Sequence, residues 1–271
     1  MRGVSRASFA ELSEQLSAEH ITSAPVASRL ASELFAVVGL LDTEHGLRRA
    51  LSDPGKPAAE KGAVAAALLH GKITARAEAL VVAAAEAHWA TSGDLSDAIE
   101  QLAIEAMVIG AESADTLDDL EDELFRFGRI LGAEPALRTA LEDQGPPDEG
   151  KRGLLDTLLA AKVSPAALRL ITEAVIYPRG RNLETTLGEY GRLAAAWRER
   201  LIAVVRAATE LTEDQRARLA AALAQTYGHD VHLNVVVDPR VVGGISVQIG
   251  DEFIDGSVAS RLAQLRQRLA S

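Results

Sequence analysis

The chain has 271 residues, 48% apolar and 25% charged, a balance that fits folded domains and excludes a disordered tail. It has no cysteine, which excludes disulfides, thiolate metal sites and thiol nucleophiles, and aromatics at 4% leave Ala and Leu to fill helix contacts. The net charge of −11 is uneven: residues 1–150 carry 12 basic and 26 acidic side chains, residues 151–271 carry 16 and 13, so the first half repels a phosphate backbone.

In chain order, "MRGVSRASFAELSEQL" lacks the unbroken apolar core of a signal peptide. No later apolar run approaches the ~18 residues that span a bilayer, so no direct membrane insertion is expected. "ELFAVVGLLDTEHGLRRALSD" (Glu33 to Asp53) then matches "ELFRFGRILGAEPALRTALED" (Glu123 to Asp143) without a gap, ninety residues apart and identical at ten of twenty-one positions. The match continues through Lys61 and Lys151, Leu68-Leu69 and Leu158-Leu159, and Lys72 and Lys162, which marks an internal duplication. In the second copy Leu120, Leu124, Phe127, Ile130 and Leu131 fall in steps of three and four, one helical face to be buried. The acidic run Glu112 to Glu123 reads as a solvated helix start. "EDQGPPDEG" and "DPGKP" break the two copies at equivalent places, and Ser164 with Pro165 sets an N-cap and first helical residue before Pro178 ends that helix. "SDAIEQLAIEAMVIG" joins the copies as a helix available to both.

After residue 200 the period changes. "LIAVVRAA" is a short strand pattern, "LTEDQRARLAAALAQTYG" a helix with Thr212 and Gln215 in capping-box spacing, and "VHLNVVVD" and "GISVQIGD" two more strands before a last amphipathic helix. The expected fold is mainly α: two related antiparallel helical bundles, residues 1–110 and 111–200, then a small βαββα domain, residues 201–271.

Gly243-Gly244 raises the question of a phosphate loop. Such a loop needs a following helix with Lys and Ser or Thr, whereas here a strand follows and residues 163–271 contain no lysine. The pair is expected to serve a bulge or close backbone approach, and Asp255-Gly256 a tight turn. No cofactor is expected.

"DPRVVGGISVQIGDEFIDGSVASRLAQLRQRL" (Asp238 to Leu269) resembles the C-terminal signature of the ATP synthase delta subunit family, the bacterial counterpart of the mitochondrial oligomycin-sensitivity-conferring protein. Its structural turn and strand positions are Asp238, Pro239, Gly243, Gly244, Gly250, Asp251, Asp255, Gly256 and Ser257. "LRTALED", "KRGLLDTLL", "RGRNLETTL" and "ATELTEDQRARLAAAL" are similar to the family's helical domain and junction, so the resemblance spans about Leu117 to Ser271. The chain departs from the family in its extra copy, which carries "TSGD" (Thr91 to Asp94) in place of "RGR". The resemblance implies a non-catalytic stator subunit of the proton-translocating ATP synthase, peripheral on the cytoplasmic face of the cell membrane. Its implied partners are alpha subunits of the catalytic head, bound by the helical domain, and b subunits of the peripheral stalk, bound by the C-terminal domain.

In the last helix Val258, Leu262, Leu265 and Leu269 form an apolar stripe suited to a stalk helix. Fully buried, the four would contribute roughly 6–12 kcal/mol before ordering costs. The alternative use of the stripe is packing on the sheet of its own domain. Weaker candidates have ordinary explanations. His229 and His232 point to opposite faces of a strand and lack a third ligand. His88 beside Trp89 suits a helix edge, and Asp251, Glu252 and Asp255 are turn acids. Arg192, Arg198, Arg200 and Arg206 are solvated or paired with Glu189 and Glu199, or form a seat for an acidic stalk segment. The rival function is a free-standing binding module for nucleic acid or a small ligand, which the missing lysines and aromatic platform oppose.

Overall fold

The structure is a computed structural model, and it describes residues 1, 3–19, 21, 23–143, 145–200, 202–227, 231–238, 241, 243–250 and 252–255. The chain divides into two compact units, Met1–Ala194 and Ala195–Ser271.

The first unit is helical. The helices are α1 (Val4–Ala18), α2 (Ala24–Thr43), α3 (His45–Ser52), α4 (Ala58–Leu69), α5 (Ala75–Glu86), α6 (Ser92–Ser113), α7 (Leu117–Ala133), α8 (Pro135–Glu142), α9 (Asp148–Leu159), α10 (Pro165–Ile176) and α11 (Leu183–Arg200). Moving α3, α4 and α5 along by ninety residues gives the bounds of α8, α9 and α10. The local chemistry moves with them. Asp53 Oδ1 accepts the Gly55 N–H at 2.9 Å, and Asp143 Oδ1 accepts the Gly145 N–H at 2.9 Å, turns in which a side chain replaces a backbone acceptor. Thr74 caps α5 by accepting the Ala77 N–H, and Ser164 caps α10 by accepting the Ala167 N–H. Each cap is gripped in turn by a carboxylate from the long helix: Glu33 accepts the Thr74 N–H at 3.1 Å, and Glu123 accepts the Ser164 N–H at 2.9 Å and its hydroxyl at 2.6 Å. Lys61 and Lys151 are both buried, and the Lys61 ammonium donates to the Ala87 carbonyl at 2.8 Å. Burial pushes the Lys61 ammonium below its ordinary value, against the pull of Asp53 and Glu86.

The 22-residue α6 is the spine of this unit. It packs against α1, α2, α3 and α5 of the first copy and against α7 and α10 of the second. That surround explains why the whole stretch from Leu102 to Ala111 is buried. The sequence boundary at residue 110 therefore falls inside a buried helix. Gly110 marks its closest approach to α2: a Cβ there would lie 2.7 Å from the Ala27 Cβ. By length and composition α2 could itself cross a membrane, which corrects the expectation that no apolar run comes near that size. Its apolar side chains, Leu30, Leu34, Val38 and Leu41 among them, lie in the protein core.

On α7 the buried residues are Leu117, Leu120, Leu124, Phe127 and Leu131, while Ile130 is 46% exposed. Ile130 was expected on the buried face. It stands about 100° around the helix from Leu131, and Leu131 holds the inward position.

In the second unit β1 (Ile202–Ala207), β2 (His232–Val237), β3 (Ile245–Ile249) and β4 (Glu252–Asp255) form one sheet in the order β2-β1-β3-β4, with α12 (Glu213–Tyr227) crossing from β1 to its parallel partner β2. β1 and β3 are antiparallel, with Val205 opposite Val247. Alternation along the strands sends Ala203, Val205, Val247 and Ile249 to one face, where Leu223 of α12 closes the core. The capping box forms as the spacing predicts: the Thr212 N–H donates to Gln215 Oε1 at 2.9 Å and the Gln215 N–H to Thr212 Oγ1 at 3.3 Å. The fourth strand is an addition to the expected pattern.

Candidate functional site

The densest polar constellation in the first unit lies between the two copies. Pro178 ends α10's run and leads to Arg179 and Gly180, which turn through left-handed backbone, φ 52° and 74°. The turn points both guanidinium groups of Arg179 and Arg181 at one carboxylate, Glu100 on α6, whose side chain is only 4% exposed. Arg179 also reaches Asp42 at 2.7 Å on α2 and Asp97 at 3.0 Å on α6, while Arg181 reaches Glu189 at 3.0 Å on α11. The Tyr190 hydroxyl, fully buried on α11, donates to Glu100 at 3.0 Å.

Electrostatics follow from this crowding. Burial works most strongly against the charge on both arginines, but Glu100, together with Asp42 and Asp97 at Arg179, outweighs it, so both guanidinium groups are raised above their ordinary range and stay charged. Burial, with Glu100 beside it, pushes the Tyr190 phenol well up and keeps it a neutral donor. Glu173 on α10 is also pushed up by burial, in spite of Arg169 at 2.7 Å. A small pocket opens here, lined by Phe35, Val38, Gly39, Asp42, Glu100, Glu173, Tyr177, Arg179 and Tyr190. Asp42, Glu100, Arg179 and Tyr190 of its lining are bonded to one another, a pattern that holds chain segments together.

Sequence reasoning picked out "RGR" as a motif but missed its receivers, Glu100, Asp42 and Tyr190. The available signal was failure of the repeat. Ninety residues after Asp42 stands Gly132, and ninety after Glu100 stands Tyr190. Trp89, the counterpart of Arg179, is buried and donates its indole N–H to the Ala84 carbonyl at 2.7 Å.

In the second unit the signature residues take up turn positions. The Asp238 N–H donates to the Ala207 carbonyl and its carbonyl accepts from Val241. Gly243 and Gly244 have φ 68° and 77°, which only glycine adopts without strain, and they deliver the chain into β3. No helix follows, so no phosphate cradle forms. Gly250, at φ 53°, directly follows β3, while Asp255 lies in β4 opposite Ser246 and not in a turn. Pro239, Asp251, Gly256, Ser257 and the stripe Val258, Leu262, Leu265 and Leu269 lie outside the described residues, as does His229, while Arg200 ends α11. His88 is exposed, its carbonyl taken by the Ser8 hydroxyl, and Arg192 lies 4.0 Å from Glu189. Among the described residues no group of three metal-ligating side chains comes together.

The profile of the family described as "ATP synthase delta (OSCP) subunit" matches residues 103–269. The chain belongs to this family. The "ATP synthase subunit delta" of Thermobifida fusca is 47% identical over 270 residues, covering all of both chains, and that of Acidothermus cellulolyticus is 44% identical over 274 residues, again covering both. Among solved structures, a chain of the Toxoplasma gondii mitochondrial ATP synthase hexamer covers 62% of this chain and 95% of its own length at 17% identity, with a TM-score of 0.32. Membership makes the chain a non-catalytic subunit of the ATP synthase, peripheral in a membrane-bound complex. The matched profile begins inside α6, so most of the first copy precedes it, whereas both bacterial relatives run the full length.

Proposed function

We propose that the chain is the stator link of the proton-translocating ATP synthase, joining the catalytic head to the peripheral stalk so that the head does not turn with the rotor. The observation that carries this reading is the family match over residues 103–269, which takes in the second helical copy and all but the last two residues of the terminal unit. A link needs two grips, and two separate compact units supply two places for them. The helical unit binds alpha subunits of the head. The terminal unit binds the b subunits, with Val258, Leu262, Leu265 and Leu269 as the apolar stripe that meets the stalk helix. Two attachments on one chain add avidity that neither has alone. The working position is the cytoplasmic face of the cell membrane.

The test replaces Leu262 and Leu265 with Asp in the full chain and measures binding to the isolated head and to the b-subunit stalk separately. The expected result is loss of stalk binding with head binding retained. Undiminished stalk binding overturns the assigned grip, and failure of the unmodified chain to bind either component overturns the function.

A further inference from the structure

We infer that the Arg179-Gly180-Arg181 turn is a carboxylate-docking site that the chain fills with its own first copy, and that this contact fixes the extra copy rigidly to the family's helical domain. The geometry is one-sided. The second copy supplies the cations, Arg179 and Arg181, the first copy supplies Asp42, and the shared helix α6 supplies Glu100 and Asp97, with Glu189 of the second copy also on Arg181. A single carboxylate held by two guanidinium groups and a phenol has its lone pairs directed by all three, which fixes orientation as well as distance. Burial of Glu100 removes the solvent that would otherwise exchange with the pair.

A tether alone would not need this arrangement, since α6 already connects the copies covalently. The residues that complete the joint are the ones that break the repeat: Gly132 replaces Asp42, Tyr190 replaces Glu100 and Trp89 replaces Arg179. The arginine turn is therefore present in the second copy alone, and its receiver Asp42 in the first alone. A surface engaged by the first copy is consequently held at a fixed place relative to one engaged by the second, which makes the extra copy a rigid extension of the subunit.

The native chain has no cysteine, so spin labels can be placed uniquely. Val64→Cys on α4 and Leu154→Cys on α9 are exposed equivalents, one in each copy. Pulsed electron resonance on the labelled full chain reads the distribution of distances between them. One narrow peak is expected, and Glu100→Ala should replace it with a broad distribution while the helical signal in circular dichroism persists. Arg181→Gln removes one cation from a partly exposed position, covers the case in which Glu100→Ala does not fold, and should broaden the peak to a lesser degree. Glu100→Arg combined with Arg181→Glu should recover part of the narrowing. A broad peak in the unmodified chain, or a narrow one retained in every folded variant, overturns the rigid joint. Because the isolated chain is measured, either result leaves the stator role to be judged by its own binding test.

Discussion

Phe35 and Phe125 occupy the same position in the two helical copies, yet Phe35 is buried and Phe125 is 65% exposed. The difference comes from what lies over each. Phe35, with Val38 and Asp42, lines the pocket closed by Tyr177 and Arg179 of the second copy, whereas the corresponding face of α7 presents Phe125 and Arg129 to solvent. Duplication thus reproduced the caps, the Asx turns and the buried lysine, all of which depend on residues within a copy. It did not reproduce the joint, which depends on residues that differ between copies.

The largest effect is expected at Glu100. Glu100→Ala leaves two arginines without their main counter-charge and should cost about 3–5 kcal/mol in urea unfolding, whereas Tyr190→Phe, which removes one neutral donor, should cost about 1 kcal/mol. A similar loss for the two would mean that the hydroxyl, and not the charge, holds the joint. The phenylalanines come next: Phe35→Ala should cost about 3 kcal/mol or more and Phe125→Ala no more than about 0.5 kcal/mol, by the same measurement. Equal losses would erase the distinction between the copies. Gly110→Val should cost about 1–3 kcal/mol, because the new side chain meets Ala27 across the tight α2–α6 contact, whereas Gly128→Ala, with open space around its Cβ position, should be neutral or slightly stabilising.

At the two caps the effects should be matched. Thr74→Ala and Ser164→Ala each remove an N-cap and a partner of a carboxylate, at about 1–2 kcal/mol apiece. The two losses should agree closely, since the two caps have the same geometry. At Glu33 burial raises the carboxyl's pKa, but its hydrogen bonds to Thr74 and its ion pair with Arg29 prevail and hold it below the ordinary carboxylate value. Its stabilising contribution is therefore present above that ordinary value and is lost as falling pH passes through the lowered one. Acid unfolding of Thr74→Ala should show a shallower dependence on pH there. An unchanged acid limb would assign the dependence to other carboxylates.

Most of the fold could be read from the sequence because its determinants are local. Ser164 with Pro165 announces a helix start, Thr212 and Gln215 announce another, and the gapless match at an offset of ninety residues announces the duplication. The fourth strand was harder to see. "GDEFID" carries turn residues at both of its ends, and only pairing with β3, an interaction across the chain, makes Glu252 to Asp255 extended. Ile130 misled because steps of three and four admit two neighbouring faces of a helix, and packing chooses between them. The joint was the least visible. Arg179 and Arg181 find their partner 79 and 81 residues away on α6, and no spacing rule reaches that far. The expected stalk stripe rests on helical periodicity alone, and its residues lie outside those the structure describes.

The bounds of α6 have one more consequence. Shifted by ninety residues, α1 falls within α6, and α6 in turn overlaps α11, so one helix is at once the last of the first copy and the first of the second. A genetic crossover between matching points of the two stretches would remove a single period in frame and leave every remaining helix with both of its ends. Single-copy and two-copy members of such a lineage can then interconvert in one recombination event, with no loop having to be invented to rejoin the chain.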